Sequence, residues 1–124
     1  MRVIEFRAKT KTNKWVFGNY YICDRQPAIQ MNHLRYFINF KTLGQYIGLK
    51  DKNKTKIFEG DIVRVFAYNY DEEEMFVVKY DDSLAQFILE SDSLSITFDN
   101  VYNYEVEVIG NTFDNADWLE GVWH

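Results

Sequence analysis

Apolar and polar residues alternate from the start of the chain. Ile4, Phe6 and Ala8 fall on one side and Val3, Glu5 and Arg7 on the other, the period-two pattern of a strand over residues 2–9. The polar run Lys9-Thr10-Lys11-Thr12-Asn13-Lys14 then reads as a solvated hairpin tip. A long aromatic strand follows from Trp15 to Cys23, with Gly18 marking a bulge or the close approach of another backbone. Asp24-Arg25-Gln26-Pro27 reads as a turn, and Ala28 to Met31 as extended chain. Between Asn32 and Thr42 the pattern is ambiguous. Leu34 to Phe40 is rich in strand formers and fits either a strand or a loop lying over the core.

The next stretch organises the chain. Gly44 to Leu49 is extended, Lys50 to Lys56 is a polar turn with Asp51 and Asn53 as turn formers, and Gly60-Asp61 makes a corner into a new strand. Gly48 and Gly60 are the expected sites of positive φ or close backbone approach. Structural turn roles therefore fall on Gly44, Gly48, Asn53, Gly60 and Asp61. Beyond the corner, Ile62, Arg64 and Phe66 alternate with Val63, Val65 and Ala67, and Tyr70 to Glu74 reads as an acidic hairpin loop. Met75 to Asp81 is a strand, Asp81-Asp82-Ser83 a turn and Ala85 to Glu90 the returning strand. Leu94 to Phe98 is a short segment, and Tyr104, Val106 and Val108 alternate with Glu105 and Glu107. Gly110 to Asn115 breaks this last strand, and Asp114 or Asn115 caps a short helix carrying Trp118, Leu119, Val122 and Trp123 on one stripe. The expected fold is mainly β. It comprises an N-terminal β-hairpin subdomain (1–56), an SH3-like small barrel of five short strands (57–113) and a short helical aromatic tail (114–124).

Gly44-Gln45-Tyr46, Gly48-Leu49-Lys50-Asp51-Lys52-Asn53 and Glu59-Gly60-Asp61-Ile62-Val63 together resemble the signature of the YopX family. Residues Arg2 to Ala8, Trp15 with Gly18, Val77 to Asp81 and Tyr104 to Asn111 extend the similarity along nearly the whole chain. The family comprises small proteins of bacterial phages and prophages with no established activity, so the resemblance implies a phage accessory protein and transfers no catalytic residue. The family turn usually reads Lys-Asn-Gly, whereas Lys54 follows Asn53 here. Asn53 is therefore expected to take the left-handed conformation itself.

Composition adds a core and a division of charge. Of 124 residues 47% are hydrophobic and 18% aromatic, enough to form a core and to argue against disorder. The single cysteine, Cys23, excludes an internal disulfide and fits an intracellular setting. No apolar run has the length of a membrane span, and the expected location is the bacterial host's cytoplasm, with no membrane partner. The net charge of −5 conceals two opposite halves. Residues 1–56 hold twelve Lys or Arg against three acids, and residues 57–124 hold two against sixteen. Either the halves neutralise each other within one chain, or copies assemble head to tail as a homo-oligomer, or the basic half meets an anionic partner.

No phosphate loop, metal-ligand cluster or nucleophile motif is present in the sequence, and no cofactor is expected. Cys23 and His33 are the only thiol and imidazole that could pair away from the terminus, and Cys23 in an aromatic strand is ordinarily inert. His33 alone lacks a second ligand, and His124 lies at a terminus that frays. Asp61 reads as a corner residue rather than a functional carboxylate. The chain is therefore expected to be no enzyme but a protein-interaction module, for itself or for a host or phage protein, with Trp118 and Trp123 as interface anchors. The second reading is nucleic-acid binding through Lys9, Lys11, Lys14, Lys50, Lys52, Lys54 and Lys56, with Trp15, Tyr20 and Tyr21 available for stacking.

Overall fold

The computed structural model describes residues 3–66, 73–92, 94–101 and 105–119. The chain forms two units, Met1–Gly48 and Leu49–His124. Its described strands build two antiparallel sheets, neither of which closes into a barrel. The SH3-like closure expected for residues 57–113 is therefore replaced by an open sheet.

In the first unit, β1 (Phe6–Lys9), β2 (Trp15–Cys23), β3 (Gln26–Met31), β4 (Leu34–Phe37) and β5 (Gly44–Lys50) lie in the order β4-β3-β2-β1-β5, and β5 runs on across the unit boundary. Successive hairpins set this order. Cys23 pairs with Gln26 around Asp24-Arg25, and Met31 pairs with Leu34 around Asn32-His33. All four turn residues have positive φ, between 50° and 68°. That is the two-residue turn whose twist matches antiparallel strands. The expected four-residue turn over Asp24–Pro27 is thus two residues shorter, and Pro27 already lies in β3. The ambiguous section resolves into the Asn32-His33 turn, β4 and a 3-10 helix (Phe40–Thr42) capped by the Asn39 side chain, which accepts from Lys41 N–H.

The first unit's core is Ala8, Val16, Ile29 and Ile38, with Phe6, Tyr20, Met31, Tyr36 and Leu43 packed around it. These residues come from β1 to β4 and the chain just beyond, because the end of β4 swings back to β1. Ile38 bridges Thr10, and Asn39 N–H donates to the Lys9 carbonyl at 2.8 Å. Gly18 permits the packing of β2 on β3. A Cβ there would stand 2.0 Å from the Gln30 carbonyl oxygen, so the close approach expected from the sequence is present. Gly44, expected to turn, instead lies inside β5, buried and paired with Arg7. Ile4, expected in a longer first strand on the same face as Phe6 and Ala8, precedes β1 and is exposed.

In the second unit, β6 (Lys56–Phe58) leads through Gly60 to β7 (Asp61–Phe66), followed by β8 (Glu73–Asp81), β9 (Gln86–Glu90), β10 (Ser95–Thr97) and β11 (Val106–Asn111). The last five form the order β10-β9-β8-β7-β11. Phe76, Val77 and Val78 are all buried, as are Ile62 and Val63, so these strands are covered on both faces. Simple alternation cannot foresee that. Glu73 and Glu74 begin β8 rather than a loop, while Ala67, Tyr70 to Glu72 and Tyr104 lie outside the described residues. The β11–β7 register shifts between Val108 and Gly110, leaving Ile109 as the extra residue of a bulge. The strand therefore continues through the expected break at Gly110 to Asn111.

Two buried carboxylates fix the turns at the start of this unit. Asp51 accepts from the backbone N–H groups of Asn53, Thr55 and Val108 at 2.8, 2.9 and 2.9 Å. It thereby shapes the lysine-rich turn and joins it to β11. The left-handed residue of that turn is Lys54, at φ 65°, and not Asn53. Asp51 holds the Asn53 N–H directly, and the Asn53 side-chain amide donates to Glu107 instead. Asp61 accepts from Phe58 N–H at 2.8 Å and closes the corner, where Gly60 has φ 91°. Gly48 is likewise left-handed, at φ 94°.

Asp51→Ala is expected to lower unfolding free energy by about 3 kcal/mol, since three backbone donors lose a charged acceptor. Asp51→Asn retains one acceptor oxygen and should lose less; chemical denaturation distinguishes them. Gly18→Ala should cost about 3 kcal/mol or prevent folding, because its methyl group meets a carbonyl within a packed sheet. In Gly48→Ala nothing lies within 4 Å of the added Cβ. Only the left-handed backbone is penalised there, by about 1 kcal/mol.

Candidate functional site

The basic hairpin of the first unit is rigidly built. Thr10 N–H donates to the Lys14 carbonyl at 2.8 Å, and the Thr10 hydroxyl accepts from the Thr12 and Lys14 N–H groups at 3.3 and 3.2 Å. Asn13 supplies the left-handed residue, at φ 70°. Lys11 and Lys14 are exposed on this tip. The tip, the start of β2 and strand β4 enclose a cleft of about 430 Å³. Lys11, Lys14 and Arg35 supply its charge, and Trp15, Tyr36 and Phe37 its aromatic surface. Val16 and Met31 add aliphatic lining. Among the described residues no Asp or Glu lines it.

Cations and rings are already engaged with each other here. The Arg7 guanidinium lies 4.7 Å and the Lys9 ammonium 5.4 Å from the Trp15 ring centroid, and the Arg35 guanidinium lies 5.5 Å from that of Phe37. Such contacts are favoured by the negative face of the ring. Arg7, on the face opposite Phe6 and Ala8, and Lys9, read from the sequence as part of the solvated tip, are in fact buried. Lys9 is therefore withdrawn from the exposed tip that its neighbours in sequence form. Arg35 also donates to the Cys23 sulfur at 3.1 Å. Sulfur is a weak acceptor, so this hydrogen bond is readily exchanged for one to an oxyanion.

Lys50, Lys52, Lys54 and Lys56 belong to the other hairpin, in the second unit, and do not line this cleft. Lys52 is spoken for within its own unit. Its ammonium lies 3.4 Å from a Glu107 carboxylate oxygen and 4.5 Å from the Phe66 ring centroid. Glu107 also accepts from Arg64, which holds its carboxyl below the usual range; hydrogen bonds from Asn53 and Lys52 add to this, against the opposing effect of burial. Lys50, Lys54 and Lys56 are exposed.

The remaining candidates are spread over other elements. His33 occupies a left-handed hairpin position, which accounts for its place in the chain. Cys23 lies beside Arg35 and Asp24. Gly44, Gly48, Gly60 and Asp61 are backbone determinants, as described above. Trp118 sits on a 3-10 helix, Ala116–Leu119, rather than an α-helix, and is 39% exposed. Its ring packs over Gly110, where an added Cβ would come within 2.7 Å. Asn115 supports the turn by accepting from Asn111 N–H at 3.1 Å. Val122, Trp123 and His124 lie outside the described residues. Among the described residues no three His, Cys, Asp or Glu side chains gather as metal ligands would, and no helix is long and apolar enough to cross a membrane.

Sequence reasoning missed Arg35, Tyr36 and Phe37 as site residues. The usable signal was Asn32-His33 between runs of strand formers, which as a two-residue turn sets Arg35 opposite Gln30.

The fold and cleft define a small all-β protein with two open antiparallel sheets and a basic, aromatic cleft on the first. The chain belongs to the YopX family: the family model described as "YopX protein" matches residues 5–120. It is also similar to a solved structure, protein EF1440 from Enterococcus faecalis, at 24% identity and a TM-score of 0.63, covering 97% of this chain and 100% of that one. That likeness supports the shared fold. No curated protein matches the sequence.

Because Glu107 has a depressed carboxyl pKa, its stabilising contribution is complete above the unfolded-state value. It is lost as pH falls through the folded-state value. Stability is expected to drop on acidification below the ordinary glutamate range, and Glu107→Gln should flatten that part of the profile. Denaturant midpoints across acid pH check this; an unchanged acid slope would show that the Arg64 pair does not contribute.

Proposed function

We propose that the protein is a non-enzymatic binding module that recognises an anionic partner through the cleft of its first unit. One observation carries this reading: Lys11, Lys14 and Arg35 line one cleft together with Trp15, Tyr36 and Phe37. The cations supply long-range attraction and hydrogen-bond donors, and the rings supply desolvated contact surface. The tight Thr10–Lys14 turn and the two-residue turn before β4 fix the backbone that carries these groups, so the ordering cost of binding is confined to their side chains. A phage-encoded accessory role in the bacterial cytoplasm is consistent with family membership.

A second reading, association with a protein through the end of the second unit, is favoured by the exposure of Phe113 and Trp118 at 38% and 39%. Self-association would be its simplest form. Light scattering of the wild type and Trp118→Ala decides it: identical monomer masses would remove the self-association form.

For the anionic reading, the variant Lys11→Ser, Lys14→Ser, Arg35→Gln is expected to elute from a heparin matrix at clearly lower salt than the wild type, while Lys54→Ser elutes with the wild type. Coelution of the triple variant with the wild type would refute the cleft as the anion site.

A further inference from the structure

The rings and cations of the cleft also specify the kind of anion. We infer that the cleft is a site for single-stranded nucleic acid, with a phosphodiester along Lys11, Lys14 and Arg35 and an unstacked base against Trp15, Tyr36 or Phe37. This rests on the anionic-partner reading above and narrows it.

Three features carry the inference. First, a purely ionic site needs no aromatic lining, whereas here three aromatic residues line the same cleft as three cationic ones. Stacking of bases on aromatic side chains, beside a positive track for the backbone, is the general solution for single strands. Second, the cleft's volume of about 430 Å³ lies within the range of about 300–1,000 Å³ typical of sites for small organic groups. It therefore takes an extruded base, and a duplex keeps its bases stacked inside. Third, Arg35 combines both recognition modes. Its guanidinium lies 5.5 Å from the Phe37 ring centroid while donating to the weakly accepting sulfur of Cys23. A planar fork beside a ring, with an exchangeable hydrogen bond, suits a phosphate oxygen next to a stacked base. Poly-glutamate would satisfy the three cations but has no ring to stack on the aromatic residues.

The test is fluorescence anisotropy of the full chain with a labelled oligothymidylate of about 10 nucleotides. The parallel probes are a base-free phosphodiester of the same length, poly-glutamate and a duplex. The oligothymidylate is expected to bind about 10-fold more tightly than the base-free strand. Neutralising three phosphates predicts an affinity loss of about 20-fold between about 50 and 200 mM salt, and Arg35→Gln should reduce the logarithmic salt slope by about 0.7. Tyr36→Leu, its fold checked by circular dichroism, should bring oligothymidylate affinity toward that of the base-free strand. Should Tyr36→Leu not fold, the comparison of natural and base-free strands on the wild type stands alone. Equal binding of those two strands, or binding of duplex or poly-glutamate as tight as oligothymidylate, would overturn the inference and leave the anionic-partner reading intact. Failure to bind any of these polyanions at about 50 mM salt would overturn both.

Discussion

The buried carboxylate of Asp51 is the constraint from which the second unit is built. A carboxylate withdrawn from water is tolerated only when donors replace its hydration, and here three backbone N–H groups do so. Two of these donors define the lysine-rich turn and the third lies in β11. One side chain thus sets both a local turn and a contact 57 residues away along the chain. Asp61 repeats the device at the next corner, over a shorter span. The residues that most resemble a family signature are largely those that satisfy or shape these two turns. Asp51, Gly60 and Asp61 are backbone determinants, and their chemistry is already consumed in folding.

A different constraint governs the first unit, namely backbone geometry at left-handed positions. Asn13, Asp24, Arg25, Asn32 and His33 all adopt positive φ, and each sits in a hairpin turn between strands β1 to β4. Because such turns fix strand register, they also fix which side chains meet. Arg35 stands opposite Gln30 through the Asn32-His33 turn, and Lys11 and Lys14 stand on the tip held by the Thr10 hydroxyl. Gly18 lets β2 and β3 approach closely enough for this arrangement to pack. The cleft is thus assembled by turns, and its position follows from register rather than from any contiguous motif.

Charge reads differently once the fold is present. Lys9, Lys11 and Lys14 are equivalent as a string of letters, yet Lys9 is buried beside Trp15 while Lys11 and Lys14 are exposed. Lys52 faces Glu107 and Phe66, whereas Lys54 is given over to a left-handed turn. Counting charges along the chain measures its overall asymmetry. Desolvation and pairing decide which of those charges a partner can meet.

Strand content, the exact span of β2, the close approach at Gly18 and the positive φ of Gly48 and Gly60 were legible in the sequence, because they depend on local periodicity and on the conformations that residue types permit. The site was half legible: Lys11 and Lys14 stood out as a charged tip, but Arg35, Tyr36 and Phe37 lay in the segment where strand and loop were equally consistent. Openness of the sheets, burial of both faces of β7 and β8, the bulge at Ile109 and the left-handed Lys54 were not legible. Each depends on partners distant in sequence: the neighbour strands that cover a face, or the buried Asp51 carboxylate that claims the Asn53 N–H. By itself the sequence determined which short segments extend and where the chain turns. Only the tertiary structure decided which cations are buried, which are paired and which share a cleft with aromatic rings, because those outcomes follow from strand register and desolvation across long separations.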